Sequence, residues 1–318
     1  MEDKDLSLRF PAAMTRFATY GDVAGTGGAS AGSKWGTSVN PASTAWLDID
    51  SQHRMSLCPQ YSLLHFDNGA DFNVFAESLT IQTDKWGAVM PAAAQIETNH
   101  STMKNGLGFD FSARLFQLQW AAKTAEDWAV GANLNYTGST TNLDMGPFPI
   151  AESNSDCYGV RLGALHRLCD KLLGGVVLDY GISRDRTVMY GIPALGISET
   201  HDEDTTQQIV ARPGLAFEYK KDSQVLVDYQ YGTFWNSTGN LQVHRLFAGV
   251  DHGLTDWLYL RAGTAVDVEG NTAVTCGLGL YPAKWLSIDV GYQCGMFPEM
   301  EPEFGRSQTL TASLGFTF

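Results

Sequence analysis

From about residue 54 to the end of the chain, apolar and polar side chains alternate with a period of two. In WLYLRAGTAVD, Leu258, Leu260, Ala262 and Thr264 share one face; Tyr259, Arg261, Gly263 and Ala265 share the other. WLSIDVGY sets Leu286, Ile288, Val290 and Tyr292 against Ser287, Asp289 and Gly291. QVLVDYQY sets Val225, Val227, Tyr229 and Tyr231 against Gln224, Asp228 and Gln230. Successive side chains of a strand point to opposite sides of the sheet, so this period predicts strands; a helix would repeat every 3.6 residues. Fourteen runs are legible, near 54–64, 70–81, 85–99, 108–120, 127–140, 156–168, 171–185, 207–220, 223–234, 241–253, 256–267, 271–281, 284–296 and 307–318. The last, SQTLTASLGFTF, stops on Phe318 in mid-alternation. A bare apolar edge invites aggregation, so this strand is expected to close onto the first.

The connections between runs fall into two alternating classes. QTDK, KTAED, CDK, KKDS, LTD and PAK are short; TTNLDMGPFPIAESNSD, RTVMYGIPALGISETHDEDTT and GMFPEMEPEFGRS are long. Short turns on one rim and long loops on the other are the layout of an outer-membrane barrel. Trp86, Trp120, Trp128, Trp257 and Trp285 all sit near short turns, five of the eight tryptophans, as an interfacial aromatic belt requires. The expected fold is therefore all-β: a 14-stranded antiparallel transmembrane β-barrel over residues 54–318, greasy outside and polar within. Asp110, Arg114, Arg161, Asp179, Arg212, Glu218, Asp228, Arg245, Asp251, Arg261 and Asp289 are expected to face the lumen and to pair there.

Composition narrows the function. A net charge of −14 and only 18% charged residues leave no basic footprint for nucleic acid. No segment approaches the roughly 18 apolar residues of a membrane helix, a test that does not register barrels. MEDKDLSLRF carries no apolar signal core. The five cysteines form no CxxC and the seven histidines are scattered, so no metal site and no cofactor is expected. His244 and His252 stand near the ends of one strand without a GxSxG elbow, and no catalytic residue is expected.

Residues 1–53 do not alternate. Their Gly-, Ala- and Ser-rich stretch ends at the turn-forming Asn40-Pro41, and Trp35, Val39, Ala45, Trp46 and Leu47 give it something to bury. A segment this small-sided can pack inside a lumen as a plug. AGTGGASAG leading to Asn40-Pro41-Ala42, a following set of fourteen strands, and Pro91 within KWGAVMPAAAQIE on the third of them together resemble the FadL-type outer-membrane transporters of long-chain fatty acids and aromatic hydrocarbons. The resemblance implies a hatch held at Asn40, Pro41 and Ala42, a lateral opening beside Pro91, and passive transport across the bacterial outer membrane. The partners it implies are hydrophobic small molecules, outer-membrane lipid and, during biogenesis, the barrel-assembly machinery.

The apolar residues Met145, Phe148 and Ile150 of one long loop and Met189, Tyr190, Ile192 and Leu195 of the next are candidates for an extracellular ligand site; loops capping one another would use the same residues. Two other functions fit a barrel. An anchor in a secretion or surface-attachment complex would bind a stoichiometric protein partner, and a polar porin would conduct ions.

Overall fold

A computed structural model describes residues 6–15, 20–47, 54–83, 86–98, 101–191 and 198–318. The alternating runs form β1 (Met55–Phe66), β2 (Asp71–Thr83), β3 (Gly87–Thr98), a two-residue β4 (Ser101–Thr102), β5 (Gly108–Ala125), β6 (Trp128–Met145), β7 (Phe148–Cys169), β8 (Leu172–Met189) and β9 (Thr200–Lys220). They continue as β10 (Ser223–Asn236), β11 (Gly239–Thr255), β12 (Leu258–Asp267), β13 (Thr272–Ala283), β14 (Leu286–Cys294) and β15 (Ser307–Thr317). Every wall strand pairs antiparallel with its neighbours, β1 with β15 and β3 directly with β5. With β4 attached only to the start of β5, fourteen strands close into a barrel. Phe318 completes it: its N–H donates to Met55 O at 2.9 Å, and its carbonyl accepts the Met55 N–H at 3.0 Å. No edge is left at the terminus.

The wall is inside-out. Phe116, Leu134, Leu178, Val227 and Leu310 are exposed on the outer face, whereas Gln119, Asn133, Arg212, Asp228, Arg261 and Thr311 are buried on the inner one. A soluble sandwich turns its faces the other way. The tryptophans Trp86, Trp120, Trp128, Trp257 and Trp285 are exposed at the short-turn rim, as their positions predicted. Two of the charges expected in the lumen point outward. Arg114 is exposed, and alternation places it and Asp110 on the face of Phe116 and Leu118. Toward the long-connection end the outer face leaves the apolar band, so a charge there no longer marks the lumen.

The long connections also differ from expectation. TTNLDMGPFPIAESNSD is a continuation of β6 and β7 as a hairpin turning at Gly146–Pro147, with Met145 paired to Phe148. Most of RTVMYGIPALGISETHDEDTT likewise belongs to β8 and β9, which remain paired out to Met189 and Thr200. Residues 295–306 are a true connection, folded into a 3-10 turn at Pro298–Met300 and a short helix α3 (Glu301–Phe304); two helices precede the strands, α1 (Leu6–Met14) and α2 (Gly21–Gly25).

The N-terminal segment lies along the inner face of this wall. Leu8 and Ala12 of α1 pack on Val210, Phe234, Leu241 and Val243 near the long-connection end. At the other end, a 3-10 turn over Pro41–Trp46 puts the Trp46 ring 5.0 Å from both Lys123 Nζ and Arg167 Cζ. Residues 48–53, on which the expected boundary between segment and barrel falls, lie outside the described residues.

Candidate functional site

Asn40 is fully buried and uses its whole side chain. Its Oδ1 accepts the Ala42 N–H at 3.0 Å, capping the 3-10 turn, while its Nδ2 donates to Ala31 O at 2.7 Å and to Ala164 O on β7 at 3.1 Å. Pro41 takes the first helical position, where its missing N–H costs nothing. The Asn40-Pro41-Ala42 triplet thus ties one end of the segment to the wall.

The inward charges tie the rest. Asp228 Oδ2 accepts the N–H groups of Ser30 at 2.7 Å and Ala31 at 2.8 Å, and it pairs with Arg212, which also donates to Gly28 O. Arg161 pairs with Asp179 and donates to Ser38 O at 2.9 Å. Arg245 joins Glu299 to the α1 carbonyl of Ala12, and Arg9 on α1 pairs with Glu303. Arg261 holds Asp289 at 2.6 Å and Asp251 at 3.3 Å. Buried charges are costly unless paired and hydrogen-bonded, and here part of that bonding is made to the backbone of Ala12, Gly28, Ser30, Ala31 and Ser38.

Glycine makes the close approach possible. Inward positions Gly131 and Gly163 lie against Pro41, Gly175 against Ala31, Gly214 against Gly32, Gly249 and Gly263 against Thr26, and Gly277 against Gly25. A Cβ on Gly277 would fall 2.8 Å from Gly25 Cα, too near for any side chain. An inward glycine on each of β6, β7, β8, β9, β11, β12 and β13 thus leaves room for the backbone of the N-terminal segment against the inner wall.

Proline interrupts the wall without changing its register. On β2 and β3, Ser78 pairs with Ala92 and Ile81 with Val89, but the two positions between, around Pro91, do not pair; Pro91 keeps its place opposite Leu118 of β5. Behind this gap, the Tyr20 hydroxyl lies 2.7 Å from Ser78 Oγ and 3.9 Å from Met90 Sδ. The same interruption occurs at Pro59 between β1 and β15 and at Pro213 between β9 and β10. Each proline lacks the N–H that the ladder requires.

The candidate ligand residues lie along the rim of the β6–β8 extension. Met145, Phe148 and Met189 are exposed, Met145 and Phe148 at the hairpin tip. Ile150 O accepts the Tyr190 N–H at 2.8 Å, and the Tyr190 hydroxyl donates to Glu152 at 3.0 Å. Ile192 and Leu195 lie outside the described residues. A larger apolar assembly sits inside the barrel at the same end: Phe66, Phe72, Phe109, Phe111, Met296, Phe297, Met300 and Phe304, with Phe10 of α1 packed against them. The Phe10 and Phe111 rings are 4.9 Å apart and those of Phe109 and Phe304 5.0 Å. Sequence reading passed over this cluster, although Phe109 and Phe111 share the inward parity of Ala113 and Gln119 on β5.

No family model matches the chain, and no curated protein sequence matches it. Solved structures do. The monoaromatic hydrocarbon channel CymD superposes with a TM-score of 0.62 at 13% identity over 94% of this chain and 97% of that one. The Ralstonia pickettii toluene transporter TbuX gives 0.62 at 12% identity over 94% and 97%. A Pseudomonas aeruginosa FadL homologue gives 0.59 at 13% identity over 94% and 98%. At such identities the likeness is one of fold, and it spans almost the whole of each chain.

Proposed function

We propose that this chain, sharing the fold of FadL-type hydrocarbon transporters, is a passive, non-catalytic transporter of hydrophobic small molecules in the bacterial outer membrane, with residues 1–53 as its plug. The observation that carries the reading is the contact between the aromatic and methionine cluster at one mouth and Phe10 of the N-terminal segment. An apolar solute gains by leaving water for such a cluster and nothing by entering a wet pore. A ligand seated there would displace Phe10, and the displacement is felt along a segment pinned at Asp228 and Asn40.

Met145, Phe148, Ile150, Met189 and Tyr190, with Ile192 and Leu195, form the outer approach to the cluster. Asn40, Pro41 and Ala42 act as the hatch, and the gap beside Pro91 acts as the exit toward lipid. Long-chain fatty acids and aromatic hydrocarbons are the substrate classes, barrel-assembly machinery the partner in biogenesis. Titration calorimetry of the full chain in lipid nanodiscs with oleate and with toluene tests the reading. Saturable heat with either one upholds it, and none with both refutes it.

One observation favours a second function, an anchor for a surface complex. The β6–β7 hairpin ends in exposed Met145 and Phe148, a tip suited to a protein partner. Stoichiometric co-purification of one protein, lost on Phe148→Asp, would support it.

A further inference from the structure

We infer that the barrel binds a phosphate group at its short-turn mouth, in a cavity between Lys34 of the N-terminal segment and Arg167 and Lys171 beside the β7–β8 turn. The inference goes beyond the transport reading and does not depend on it.

The cavity follows from the way the segment meets the wall. Leu173 of β8 pairs with Ala216 of β9, and both line the space. Beside them Gln224 of β10 is buried, and its Nε2 donates to Ser33 Oγ at 3.1 Å. The Ser33 carbonyl in turn accepts the Ser43 hydroxyl at 2.7 Å. Ser33 is thus fixed to the wall on one side and to the 3-10 turn on the other, which sets the position of Lys34 next to it. Alternation along β7 puts Arg167 on the inner face with Arg161 and Leu165. Lys171 stands in the turn that follows, where its carbonyl accepts the Glu218 N–H at 2.8 Å. The space enclosed is about 40 Å³. One water needs roughly 10–15 Å³, so about three water-sized groups fit, the span of a phosphate.

The cations around this space keep donors to spend. Lys34 Nζ lies 4.8 Å from the centroid of the Trp35 ring, and Arg167 Cζ lies 5.0 Å from that of Trp46. An aromatic face steadies a cation through its charge and leaves its N–H groups unused. Two tryptophans of one segment therefore hold two of the three cations. Arg167 comes within 3.9 Å of Asp127, too far for a hydrogen bond. Asp170 and Glu218 also line the cavity, yet among the described residues neither forms an ion pair with Lys34, Arg167 or Lys171.

Three cations against two carboxylates leave the cavity one positive charge. A planar guanidinium fork and two ammonium groups, brought in by separate elements, offer more donors than the two oxygens of a carboxylate accept. A phosphate group has the oxygens to take them all. Bound there, it bridges segment and wall and offsets the repulsion of Lys34 by Arg167 and Lys171.

The test uses the full chain in maltoside micelles, which carry no phosphate, at fixed ionic strength. Titration calorimetry with inorganic phosphate, and native mass spectrometry with phosphatidic acid against diacylglycerol of the same chains, cover the two sources of the group. The expected result is saturable binding of one equivalent of at least one of them. Lys34→Gln and Arg167→Gln should each weaken it about tenfold, because each removes a charge-assisted bond. Lys221→Gln, which alters a lysine outside the cavity, should leave it unchanged. Phosphatidic acid retained over diacylglycerol, and displacing inorganic phosphate, upholds the site as one for a lipid headgroup. Inorganic phosphate bound without such retention upholds it as one for a soluble phosphate. Saturable binding of neither, or binding that both pocket substitutions leave undiminished, overturns the inference.

Discussion

Asp228, on a wall strand, accepts the backbone N–H of Ser30 at 2.7 Å across 198 residues of sequence. The same carboxylate oxygen pairs with Arg212, so a single buried atom joins two strands to the N-terminal segment. Removing it leaves a guanidinium inside the barrel without its counter-ion. Asp228→Ala is therefore expected to destabilise the protein by about 3–5 kcal/mol. Urea unfolding in detergent measures this, and proteolysis within residues 20–47 should rise in parallel. An unchanged midpoint would remove the ionic latch from the account.

Asn40→Ala deletes one cap and two donors at once. Each orphaned carbonyl or N–H costs about 1–3 kcal/mol when buried, and the loss is local to the turn. Hydrogen exchange should show the Ala42 amide exposed while the barrel amides stay protected. Protection of Ala42 equal to that of the wild type would contradict the role given to the motif.

Gly163→Val tests the seat of the segment. A Cβ there would collide with the Asn40 side chain and the Pro41 ring. The barrel should still fold, and the segment should leave the lumen. Planar-bilayer recordings are expected to show a new ion conductance that the wild type lacks. A silent variant would mean the wall yields instead.

Position along the outer face should decide the cost of a charge. Leu178→Arg places a cation in the apolar band, at about 2–4 kcal/mol near its middle. Asn142→Arg, on the outer face of the β6 extension, is expected within about 0.5 kcal/mol of wild type. Folding titrations into vesicles compare the two; equal costs would refute the boundary.

The strands between the rims were legible in the sequence because lipid on one side and a polar lumen on the other enforce alternation. The predicted runs 223–234 and 307–318 differ little from Ser223–Asn236 and Ser307–Thr317. Legibility failed where that contrast ends. Above Tyr136, Tyr158 and Tyr180 the residues of β6, β7 and β8 are mostly polar or glycine on both faces, which reads as loop because neither face needs to be apolar. Arg114 was misplaced for the same reason. That the N-terminal segment packs closely on something could be suspected from its own small residues. Its seat was also written in the strands, in inward glycines such as Gly163, Gly214 and Gly277, but a glycine within an alternating run reads as a neutral position unless something is known to lie against it. The apolar cluster was hidden because its members come from β1, β2, β5, α1 and residues 296–304, far apart in the chain.

The most direct test of the central claim is the rate at which a fluorescent long-chain fatty acid reaches the bilayer of asymmetric vesicles with lipopolysaccharide in the outer leaflet, whose saccharide layer resists apolar solutes. Vesicles containing this protein are expected to take up the fatty acid at least tenfold faster than protein-free vesicles, without becoming conductive to ions. Equal rates with and without the protein would contradict the account.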